Sequence, residues 1–124
     1  MSPRSEEFMG QARERVPAAR ELLEAGHLEP AVSIAYYAML NAARAALSEN
    51  DEQARTHRGT WHRFHDRYVA SGAFDEKLHT LATSAQHARE RGDYEAVTPH
   101  PDEAEEIVDG ASAFVTAVEQ MLAG

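Results

Sequence analysis

Apolar residues recur at intervals of three and four almost throughout these 124 residues, and nowhere do they alternate long enough to build a strand. Such a chain can only bury its stripes helix against helix, so the fold class is all-α, an up-and-down bundle of four or five helices. The spacing predicts a first helix over 5–25, with Phe8, Ala12, Val16, Ala19 and Leu23 on one face and Gly26 after it. Pro17 lies in its middle, where it removes a hydrogen bond and crowds the preceding turn. A kink is expected there, or a loose segment over 1–16 joined to a helix that starts near the proline. The second helix, over 30–48, carries Val32, Tyr36, Met39, Ala43 and Leu47, and its many other alanines let neighbours approach closely. A third is expected over 56–70 with Trp61, Phe64 and Tyr68 inward, and a fourth over 74–91, stopped by Gly92. The last opens at Pro101 and has the cleanest stripe, Ile107, Ala111, Phe114, Val118 and Met121. At this length, one domain over 1–124 is the expectation.

Charge narrows what the bundle can bind. Twelve basic against twenty-one acidic residues leave a formal net charge of −9, which argues against an extended basic surface for nucleic acid or anionic lipid. Yet every basic residue except Lys77 is an arginine, whose planar fork suits phosphate and carboxylate. Acidic residues dominate from Asp102 onward, with no arginine or lysine among them. Between Arg55 and Arg67 the balance inverts, with four arginines and three histidines against Asp66 alone. That segment coincides with the start of the third helix, where free backbone N–H groups favour an anion. The plainer alternative pairs these arginines with acidic helices of the same chain.

Familiar catalytic and cofactor patterns are missing. Without cysteine there is no disulfide framework and no thiol chemistry, which sets a cytoplasmic location as the expectation. No apolar run reaches the length of a membrane span, so no membrane association is expected. Glycine-rich phosphate loops and the Gly-x-Ser-x-Gly elbow do not occur, and no cofactor is implied. Glu24 with His27 and Glu76 with His79 have the Glu-x-x-His spacing of carboxylate-bridged metal centres. Gly26 interrupts the first pair, no inward glutamate completes a set, and no metal is assigned. One further run, Arg89-Glu-Arg-Gly-Asp-Tyr94, closes the fourth helix. Its arginines complement the helix dipole, Asp93 can bond either of them, and Tyr94 is placed to plug the bundle end.

Four pieces in order carry a family resemblance. They are the stretch from Ala31 through Tyr36, Tyr37 and Asn41 to Leu47; Thr56-His-Arg-Gly59 with Phe64; the Ser71-Gly72 break; and Arg89 to Tyr94. Together they resemble a HEPN domain of the small stand-alone prokaryotic branch, from about Ala19 to Leu122. The resemblance implies a homodimer that accompanies a minimal nucleotidyltransferase in a toxin–antitoxin-type pair. Active members are metal-independent ribonucleases with a histidine four to six residues beyond an arginine. Here Arg89 takes the arginine's place, but no histidine follows in that window. The expected function is therefore nucleotide, RNA or partner binding through His57, Arg58, Arg89, Asp93 and Tyr94, with Tyr94 also a candidate for nucleotidyl modification. Two alternatives stand beside it. One is a ribonuclease whose imidazole comes from His57 or His87, and the other is a purely structural interaction domain.

Overall fold

A computed structural model describes all residues from Met1 to Gly124. Five α-helices build it: α1 (Pro3–Glu24), α2 (Leu28–Ser48), α3 (His57–Phe64), α4 (Glu76–Glu95) and α5 (Pro101–Ala123). No strand is present. The all-α bundle predicted by the periodicity is the fold observed.

Helix α2 is the axis of the bundle and packs against α1, α3, α4 and α5. Its alanines explain how. Ala31, Ala35, Ala38, Ala42, Ala43, Ala45 and Ala46 are all fully buried, and side chains that short let four neighbours close on one helix at once. Bulk comes from an aromatic cluster beside α2. Phe64, Phe74 and Phe114 pack edge to face or tilted with ring centroids 4.8 to 5.7 Å apart, and Trp61 stands edge-on to Phe114 at 5.9 Å.

Three expectations need correction. Helix α1 runs unbroken through Pro17, and its first half is not loose: Ser5, Met9 and Ala12 are buried, and the Ser5 hydroxyl donates to the Ala45 carbonyl at 2.7 Å. Tertiary packing on α2 overrides the cost of the proline. The third helix ends early, at Phe64, and its last turn widens into a π-helical segment, His65–Val69. Helix α4 begins at Glu76 behind an Asp75 cap and continues through Gly92 to Glu95, so Asp93 and Tyr94 are helical. Gly92 serves as a point of close approach instead of a stop, because a Cβ there would lie 3.0 Å from the Glu29 side chain. Gly110 is used similarly on α5, where the Leu81 side chain fills the space a Cβ would need.

Candidate functional site: an arginine and a histidine around a tyrosine pair

Tyr36 and Tyr37 sit side by side in the middle of α2, their rings edge to face at 5.4 Å. Tyr36 is fully buried and Tyr37 half-buried. Around them converge the start of α3 and the end of α4. His57 comes from the first turn of α3, which Thr56 caps by accepting from the Gly59 N–H at 2.9 Å. Glycine is needed at 59 because a Cβ would fall 2.8 Å from that hydroxyl. The His57 ring lies 5.6 Å from Tyr36 and 5.8 Å from Tyr37. Arg89, from α4, places its guanidinium carbon 5.4 Å from the centre of each of the same two rings.

Hydrogen-bond bookkeeping assigns directions here. The Trp61 indole can only donate, and it donates to the Tyr36 oxygen at 3.1 Å. Tyr36 is left with its own O–H, and the one further partner in reach is His57 Nδ1 at 3.0 Å. The hydroxyl therefore donates to Nδ1, and the neutral imidazole carries its proton on Nε2. Burial holds the Tyr36 hydroxyl at a pKa of about 12, so it remains a donor throughout the physiological range. Burial, and then the positive charges of Arg44 and Arg89, hold the His57 imidazole below its ordinary value, with Glu90 opposing. The result is a chain of donors, Trp61 to Tyr36 to His57, that ends on an N–H with no acceptor in the protein.

Arg89 is the most enclosed charge of the group, its side chain 15 % exposed. Its one acceptor is Asp93, a turn later on α4, at 2.8 Å. The buried Nε–H has no partner. An arginine so placed pays desolvation that one carboxylate and two ring faces only partly offset, and it favours a further anion.

Of the five predicted binding residues, His57, Arg89 and Asp93 come together on the tyrosine pair. Arg58 does not: it lines a separate open groove of about 540 Å³ with His62, His65 and His79. Tyr94 does not plug the bundle end but stands 81 % exposed. His87 is exposed on α4. Sequence reasoning did not connect Tyr36 and Trp61 with the candidate site. Both were expected only as core, and a hydroxyl and an indole N–H on inward faces 25 residues apart give no sequence signal that they meet. No group of three or more histidine and acidic side chains is arranged to hold a metal ion.

The family is settled by comparison. The chain matches the HEPN domain over residues 5–121, and it belongs to that family. It is 28 % identical to the UPF0332 protein glr0978 of Gloeobacter violaceus, over 99 % of both chains. It is 31 % identical to a Methanocaldococcus jannaschii protein named "Putative toxin MJ0605", over 90 % of this chain and 83 % of that one. No helix is long and apolar enough to cross a membrane.

Proposed function

We propose that this HEPN protein binds the phosphate of a nucleotide or RNA at Arg89 and His57, as a component of a toxin–antitoxin-type system. The observation that carries the reading is the convergence of two unsatisfied donors, the Arg89 guanidinium and the His57 Nε2–H, on one tyrosine pair. Arg89 is a largely enclosed cation whose one carboxylate partner is Asp93 and whose Nε–H is unpartnered, and His57 is half-buried beside it with no protein acceptor for its Nε2–H. Phosphate oxygens complement that arrangement, and arginine provides the fork for them. Asp93 then acts as a built-in competitor that holds Arg89 in place until an anion displaces it.

The same proton assignment argues against a strong general base. With its proton on Nε2 and Nδ1 engaged by Tyr36, His57 has no free lone pair to remove a 2′-hydroxyl proton. A second reading, a metal-independent ribonuclease using His57, draws on the fact that the fold does bring this histidine to the same rings as Arg89. That reading requires the imidazole proton to move to Nδ1. The relative named as a toxin fits either version. A homodimer and a nucleotidyltransferase partner, drawn from the family resemblance, a cytoplasmic location, drawn from the lack of cysteine, and a single domain over 1–124, drawn from chain length, complete the proposal.

Fluorescence anisotropy with labelled ATP and a labelled single-stranded RNA, alongside a cleavage assay on the same RNA, tests it. Binding that is lost in Arg89→Ala and weakened in His57→Ala, without cleavage, supports the binding reading. Cleavage abolished by both substitutions would establish the ribonuclease instead, and binding indifferent to both would remove the site.

A further inference from the structure

Three histidines line the open groove that also takes in Arg58, away from the tyrosine pair. His62 belongs to α3, His65 opens the π-helical segment that follows, and His79 lies near the start of α4. π-Helical turns are rare and gather at functional sites. The rings of His65 and His79 meet edge to face at 5.0 Å, and both side chains are half-buried.

His79 has a definite proton arrangement. A carbonyl can only accept, so the 3.3 Å contact with the Trp61 carbonyl places a proton on His79 Nε2. The imidazole lies parallel to the Phe64 ring and edge-on to Trp61. This is the one hydrogen bond that joins α4 to α3 or to the π segment. Trp61 is therefore fastened on two sides, by its main chain to α4 and by its indole to Tyr36 on α2.

A second proton on His79 puts a charge beside the uncharged rings of Trp61 and Phe64, with Phe114 of α5 behind them. The charged or titratable groups facing it from α3 and the π segment are Arg58, His62, His65 and Asp66, and on its own helix there is Glu76, three residues earlier. Asp66 is already shared, its oxygens 3.3 Å from His62 Nε2 and 3.9 Å from His65 Nδ1. Burial, joined by His65, holds the His79 imidazole below its ordinary value, against the opposing pull of the Trp61 carbonyl and Glu76. The stability that the neutral ring contributes is thus fully present above pH 6.5 and is lost as pH falls through the folded value.

We propose that His79, paired with His65, is an acid-operated latch: neutral, it bolts the Trp61 main chain to α4, and once charged it lets the α3–π segment come away from α4. Because α3 carries His57 in its first turn, release also loosens the tyrosine-pair site from behind. The latch stands on the geometry of this groove and is independent of the phosphate reading of Arg89.

Amide hydrogen exchange, expressed as protection factors at about pH 7.5 and 5.5, tests it in wild type, His79→Gln and His57→Gln. Glutamine keeps an N–H donor near the place of Nε2 but does not titrate. Wild type and His57→Gln are expected to lose protection in the α3–π segment and the first turns of α4 on acidification. Protection in His79→Gln no longer depends on pH, whether glutamine holds the Trp61 carbonyl or leaves it open. An acid loss that persists in His79→Gln, one that disappears in His57→Gln, or none in wild type would overturn the latch. In a parallel NMR titration, His65→Gln removes a like charge and raises the pH at which His79 titrates. A midpoint unmoved by that substitution would overturn the pairing of the two rings.

Discussion

Two faces of this bundle use arginine in opposite ways. Along α5 the arginines of other helices are tied down: Arg13 to Glu119 at 2.9 Å, Arg91 to Glu103 at 3.1 Å, and Arg20 to Asp109. The acidic last helix is thus a strip of docking points for α1 and α4. At the edge formed by α2 and the start of α3, Arg44, Arg55, Arg58 and Arg63 meet no carboxylate at all. The difference shows why a net charge of −9 says little about binding. Three carboxylates of α5 staple helices, and arginines without a carboxylate partner gather near the tyrosine pair and the α3 terminus.

The comparison can be broken most severely at the residue that supports the second face. Trp61 is buried against Phe64, Phe114 and Tyr36, and Trp61→Ala should cost about 3–5 kcal/mol in chemical denaturation. Tyr36→Phe removes only an oxygen but leaves the Trp61 N–H unsatisfied, so a loss of about 1–3 kcal/mol is expected, together with weaker RNA binding. A purely structural tyrosine would lose stability without the binding defect. Asp93→Asn works the other way, releasing Arg89 and raising affinity for RNA about two- to fivefold by anisotropy. On the stapled face, Arg13→Ala and Arg20→Ala should each change stability by about 1 kcal/mol or less and leave RNA binding alone. A binding loss in either would erase the distinction between the faces.

Acid provides a finer test. Because the folded pKa of His57 lies below the ordinary 6.5, the unfolded chain binds its proton first. The stability this contributes is fully present above pH 6.5 and is lost as pH falls through the folded value. Thermal melts of wild type and His57→Gln should therefore run parallel above that pH, with wild type losing ground below it.

Much of the fold was legible in the stripes, which indicated four or five helices and most of their inward residues. Departures came where a local signal served a tertiary purpose. Pro17 and Gly92 read as a breaker and a stop, but α1 continues as helix through the first, with Ser5, Met9 and Ala12 buried, and Glu29 uses the missing Cβ of the second. Phe74 has helical spacing yet stands before α4, because Asp75 caps the helix and leaves the ring to the aromatic core. At the site, Arg89, His57 and Asp93 were readable as chemistry in sequence, while the tyrosine pair that gathers them was readable only as core. Arg58 and Tyr94 were placed with them because they belong to the same motif pieces, Thr56–Gly59 and Arg89–Tyr94, but neighbours on a helix point in different directions.

The central claim is that His57 ends a chain of donors and so offers an N–H to a phosphate. Long-range nitrogen–proton correlation spectra of the His57 ring at pH 7.5, with and without the single-stranded RNA, test it most directly. The account predicts a proton on Nε2, an unprotonated Nδ1, and an Nε2 signal that moves with RNA in wild type but not in Arg89→Ala. A proton on Nδ1, or an Nε2 signal indifferent to RNA, would contradict it.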